Sequence, residues 1–124
     1  MAARTATDVT TRGARVMTII EKIGADPSAF GLVECGLHSG FPTCCIEFFV
    51  TVWHPWMLTN PRVLSPDARR VMKTYETTIR RDVAPGYVPC PSCLEARRFV
   101  TPRKCDWHLS ARERRAAIER ATKR

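Results

Sequence analysis

Two pairs of metal-ligand residue types constrain this chain more than any other feature. Cys90-Pro91-Ser92-Cys93 is followed, after eleven residues, by Cys105-Asp106-Trp107-His108. Two ligands separated by two residues can grip one ion from a single tight turn, and two such turns complete a tetrahedron. Zinc favours thiolate and imidazole donors at about 2.3 and 2.0 Å in closed four-coordinate structural sites. The spacing therefore predicts a zinc site made by Cys90, Cys93, Cys105 and His108.

A second cluster offers another site. Cys35-Gly36-Leu37-His38 is followed by Cys44-Cys45. Cys35, His38, Cys44 and Cys45 supply four donors if both adjacent cysteines bind, although neighbours on regular backbone rarely point the same way. His54 is the natural substitute. On a helix starting near Cys44, however, it sits about 15 Å along the axis, too far for one ion. His54 is therefore expected to be the spare among nine Cys and His residues. An alternative pairs Cys35 and His38 with Cys90 and Cys93, leaving Cys105 and His108 to join Cys44 or Cys45. One or two zinc ions are expected. An iron–sulfur cluster is the rival chemistry, but cysteine-only ligation would leave the paired histidines idle.

Six cysteines favour metal ligation over disulfides in a reducing compartment. No apolar stretch follows Met1-Ala2-Ala3-Arg4, so a secretory leader is not expected. The longest apolar run, Cys44 to Leu58, contains Glu47, His54 and Pro55 and is shorter than a membrane span, which needs roughly 20 apolar residues. The expected compartment is the cytoplasm, with no membrane association.

A single mainly α domain over residues 1–124 is expected, with three to four helices, zinc-knuckle loops and little β structure. Residues 8–23 carry Val9, Val16, Ile20 and Ile23 on one helical face, with Thr7 or Asp8 as cap and Gly24 as stop. Residues 25–42, rich in glycine and proline, read as a loop. A helix begins near Pro42 or Thr43, with a buried strand over 46–53 as the alternative. His54-Pro55 should end or kink it. Ser65-Pro66-Asp67 starts the clearest helix, whose stripe is Ala68, Val71, Met72, Tyr75, Ile79 and Val83. Residues 87–106 read as irregular or β-rich. Ser110 and Glu113 form a capping box for a basic helix within 109–124 that frays beyond Arg120.

The formal net charge is +8 and it is uneven. Residues 90–124 hold ten Lys/Arg against four Asp/Glu, whereas residues 1–89 hold ten against eight. An anionic partner follows from that basic third, either DNA or RNA, or an acidic protein. Arg97, Arg98, Arg103, Lys104, Arg112, Arg114 and Arg115 are the candidate phosphate contacts. The leading expectation is a zinc-binding, nucleic-acid-binding or regulatory protein. A zinc-stabilised protein-interaction adaptor is the second. A metal- or thiol-dependent enzyme is the third, with Cys44 or Cys45 as nucleophile and His38 as base. The sequence shows no Gly-rich phosphate loop, no Ser-centred elbow and no paired catalytic carboxylates. It does not indicate an oligomeric state.

Overall fold

A computed structural model describes residues 6–60, 62–105 and 107–123. Among them the chain is mainly α, as expected, and contains no strand. It organises as two compact units, one made by residues 1–39 with 104–124 and the other by residues 40–103.

The first unit is built from helices α1 (Ala6–Ile23), α2 (Phe30–Ser39) and α7 (Ala111–Thr122). Val16, Met17 and Ile20 of α1, Phe30 and Val33 of α2, and Leu109 and Ala117 form its buried apolar interior. Gly24, at φ 69°, ends α1, and the next N–H reaches back from Ala25 to the Ile20 carbonyl at 3.0 Å. Because α1 begins at Ala6, Thr7 and Asp8 lie inside the helix, and its cap position falls outside the described residues. The expected loop over 25–42 is mostly ordered helix. Asp26 caps a 3₁₀ turn at Pro27–Ala29 by accepting from the Ser28 N–H at 2.8 Å, and α2 follows at once. Burial of Phe30, Val33 and Gly36 offsets the poor helix propensity of its two glycines. At the other end, the Ser110–Glu113 capping box starts α7 as expected, with bonds of 2.7 and 3.1 Å. The helix runs through Arg120 to Thr122, and Arg124 lies outside the described residues.

The second unit holds α3 (Thr43–Phe48), a π-helical stretch Phe49–Trp53, α4 (His54–Leu58), α5 (Pro66–Asp82) and α6 (Pro91–Glu95). The strand considered for 46–53 is helical. Pro55 has no N–H and its ring crowds the carbonyl four residues back. The backbone register widens just before it, with the His54 N–H reaching the Phe49 carbonyl, and the helix continues to Leu58. Pro61, in the expected loop after Asn60, lies outside the described residues. Ser65 caps α5 by accepting from the Ala68 N–H at 3.1 Å. Met72, Tyr75, Ile79 and Val83 face the core, whereas Val71 is 56% exposed and falls outside the buried stripe. That core joins Trp53, Tyr87 and three cysteines to the α5 stripe. Trp53 lies 5.6 Å from Tyr75, and Phe41 stacks on Tyr87 at 4.8 Å. The Tyr75 hydroxyl donates to the Pro89 carbonyl, fixing the segment that precedes Cys90.

No helix among the described residues is long and apolar enough to cross a membrane.

Candidate metal centres

Among the described residues, two groups of side chains are placed so that they could hold a metal ion, one in each unit. Their membership overlaps the expected ligand set, but the pairing differs from both arrangements read from sequence. Cys44 and Cys45 gather with Cys90 and Cys93, while Cys35 gathers with Cys105 and His108. Within each group the donor atoms lie within 4.8 Å of one another.

The four-cysteine group is assembled from two helix starts. Pro42 occupies the N-cap of α3, and the N–H groups of Cys45 and Ile46 both reach its carbonyl, at 3.0 and 3.1 Å. This tightened first turn brings the adjacent Cys44 and Cys45 into one group, the arrangement that regular backbone disfavours. Cys90 is the N-cap of α6, and its sulfur accepts from the Cys93 N–H at 3.4 Å. The Cys90 N–H in turn donates to the Cys45 sulfur at 3.3 Å, and the Tyr87 hydroxyl lies 3.2 Å from that sulfur. Cys44 and Cys93 bring their sulfurs to 3.6 Å. Cys45, Cys90 and Cys93 are buried, whereas Cys44 is exposed.

Electrostatics in this group run against ionisation without a cation. Burial raises the Cys44 and Cys93 thiols, and thiol neighbours raise Cys93 further. For Cys90 burial is the largest single effect and works against ionisation, but the Cys93 N–H and the Cys93, Cys44 and Cys45 thiols together outweigh it, so Cys90 is lowered. Burial and the bond to Cys45 push the Tyr87 hydroxyl up. A bound cation would supply the charge that lets the thiolates form.

The second group sits on a carboxylate scaffold that sequence reading missed. Glu34, on α2, is 1% exposed. Its Oε1 lies 3.1 Å from Nδ1 of His108, and its Oε2 accepts from the Leu109 N–H at 2.8 Å. The guanidinium groups of Arg12 and Arg114 approach it at 3.8 and 3.6 Å. Nε2 of His108 is left facing the Cys105 sulfur at 3.1 Å. Metal-ligating histidines are commonly held this way, with one nitrogen on a carboxylate and the other on the ion. Burial pushes the Cys105 thiol up to about 12, aided by the Cys35 thiol and the negative charge of Glu34. A lone acid beside Cys35, in a segment with Phe30, Leu32 and Val33, was the available signal for Glu34.

Cys35 and His38 stand one turn apart on α2, not in a loop knuckle. The His38 ring meets Trp107 edge-on at 6.5 Å, and its nitrogens fall outside the group of three. Trp107 is also covered by Arg12, whose guanidinium lies 4.0 Å over the ring and donates to the Trp107 carbonyl at 3.1 Å. His54 belongs to neither group and packs beside Phe49, at 5.9 Å.

The expected phosphate contacts divide between the units. Arg97, Arg98 and Arg103 are exposed in the second, and Lys104, Arg112 and Arg115 are exposed in the first. Arg114 is half-buried and turns inward to Glu34. Arg97 adopts φ 54° at the end of α6, lies 3.7 Å from Asp82 and sits over the Phe99 ring at 5.6 Å. No family model, curated protein or solved structure matches this chain.

Proposed function

We propose that this chain is a zinc protein with one structural ion in each unit. Cys44, Cys45, Cys90 and Cys93 hold the first. Cys35, Cys105 and His108 hold the second, with His38 turning from Trp107 to complete it. One observation carries the reading: four sulfurs from segments 45 residues apart converge within 4.8 Å, three of them in a packed core.

The donor spacing favours a single ion over a cluster. Four thiolates around zinc stand about 3.8 Å apart, given zinc–sulfur bonds of about 2.3 Å. The Cys44–Cys93 separation of 3.6 Å is close to that edge. A four-iron cluster inserts its metals between the sulfurs and needs them spread wider. Tetrahedral sulfur and mixed sulfur–nitrogen sets both suit zinc. Six free cysteines fit a reducing compartment such as the cytoplasm.

Within this reading the metal-held units present basic surface to nucleic acid, directly or as part of a regulatory protein. The support is the net charge of +8 and the exposure of Arg97, Arg98, Arg103, Lys104, Arg112 and Arg115. Reversing Arg97 and Arg98 to Glu should weaken binding to random DNA or RNA while zinc content is unchanged. The slope of log K against log salt should shrink by nearly one unit for each phosphate that is no longer neutralised. Binding that survives with an unchanged slope sinks the nucleic-acid reading. Binding to an acidic protein instead, sensitive to the same reversals, would establish the adaptor. An enzyme is the reading least supported: the four-cysteine centre is closed by protein ligands, and with His38 completing the second centre no metal position stays open for a substrate.

A further inference from the structure

The four cysteines of the first centre are chemically unequal. Cys45 is 1% exposed and its sulfur has both the Cys90 N–H and the Tyr87 hydroxyl beside it. Cys90 is 5% exposed and accepts from the Cys93 N–H. Cys93 is 4% exposed. Cys44 alone of the four is exposed, and its sulfur lies 3.6 Å from that of Cys93. Hydrogen bonds to a thiolate draw off the electron density that makes it nucleophilic, and burial keeps reagents away. Both effects protect Cys45 and Cys90, whereas Cys44 is an exposed residue whose sulfur meets the other thiols of the group rather than a backbone N–H.

The two centres differ as well. Four thiolates on a divalent ion leave the centre with two excess negative charges. Two thiolates with neutral imidazoles leave it neutral, so its sulfurs are poorer nucleophiles.

We infer that Cys44 is a peroxide-reactive zinc thiolate, and that its oxidation to a disulfide with Cys93 expels the zinc of the four-cysteine centre. This rests on the metal reading above. The Cys44 thiolate attacks one oxygen of a hydroperoxide, the O–O bond breaks, and hydroxide or alkoxide leaves with the electron pair. Cys44 becomes a sulfenic acid. The Cys93 thiolate then attacks that sulfur, an S–S bond forms and hydroxide leaves. Two thiolates have lost two electrons and the peroxide has gained them. A disulfide bond of about 2.05 Å needs an approach of roughly 1.5 Å from the 3.6 Å separation. Zinc, left with Cys45 and Cys90, is released.

The test uses the full chain loaded with zinc, with metal content measured first. Hydrogen peroxide is then added in steps while a chromogenic chelator reports free zinc and mass spectrometry maps disulfides. One zinc equivalent should appear together with a Cys44–Cys93 disulfide, before Cys35 or Cys105 is oxidised. Cys44→Ser should release zinc roughly tenfold more slowly. If that variant fails to hold zinc, brief treatment of the loaded wild-type chain with N-ethylmaleimide decides the matter, and Cys44 should be labelled ahead of the other five cysteines. First reaction at Cys35 or Cys105, a Cys90–Cys93 disulfide, or complete oxidation without zinc release overturns the inference alone. Absence of zinc at this centre before peroxide overturns the metal reading beneath it.

Discussion

Nδ1 of His108 stands 3.1 Å from the buried Oε1 of Glu34, and Nε2 of the same ring stands 3.1 Å from the Cys105 sulfur. The carboxylate favours a proton on Nδ1, which leaves the Nε2 lone pair directed at the sulfurs. The Leu109 N–H at 2.8 Å pins the other carboxylate oxygen, so the helix that carries Cys35 also sets the orientation of His108. In the proposed metal protein Glu34 is thus a positioning residue for the second centre.

Glu34→Gln keeps an acceptor for the Leu109 N–H but removes the charge that holds the imidazole. Zinc affinity at the second centre should fall by roughly 10- to 100-fold, with the first centre unaffected. Competition against a chromophoric chelator, resolving the two equivalents, measures this. Equal weakening of both centres would show that the effect is general loss of fold.

Gly13 is buried where α1 meets α7, and a Cβ there would lie 2.7 Å from the Ala117 Cβ. Ala117 is short and has no flexible end to move aside. Gly13→Ala should therefore destabilise the chain by about 1–3 kcal/mol, the usual cost of overpacking. Urea unfolding of the zinc-loaded protein checks it. An unchanged midpoint would mean that the two helices can separate without cost.

The metal-free and zinc-loaded forms should respond to pH in opposite ways. Without metal, the Cys105 thiol is pushed up from 9.0 to about 12 in the folded chain. Above pH 9 the unfolded chain has lost that proton while the folded chain retains it, so stability should fall as pH rises toward 12. With zinc bound, the thiols are already deprotonated, and acid must return protons to displace the ion. The loaded form should lose stability and zinc as pH falls, and should lack the alkaline loss. Thermal unfolding of both forms across pH, with released zinc monitored, separates them. Matching pH profiles would contradict ligation by these thiols.

Local signals in the sequence correspond to local structure. Ser65-Pro66 and Ser110 with Glu113 mark helix starts because capping is settled within four residues. The 30–39 helix was hidden because Gly31 and Gly36 lower propensity, while the burial that offsets them is tertiary. Pro55 signalled a disturbance, but not that a widened turn would absorb it. The cysteine pairs were legible for the same local reason as the caps. Which pairs face each other was not, since Cys45 and Cys90 meet through the core around Trp53 and Tyr87 and no spacing encodes that meeting. Glu34 was invisible as a partner of His108 because 74 residues separate them.

The partition of ligands between two centres is tested most directly by zinc content, measured by elemental analysis on the purified wild-type chain and its ligand variants. The wild-type chain should carry two equivalents. Cys90→Ser and Cys105→Ser should each carry one, and the double variant none. His54→Ala should keep both, because His54 belongs to neither group. If Cys90→Ser and Cys105→Ser remove the same single equivalent, so that the double variant still holds one, those residues share a site and the pairing is wrong. Wild-type protein containing no zinc, or iron with visible iron–sulfur absorbance, would contradict the account as a whole.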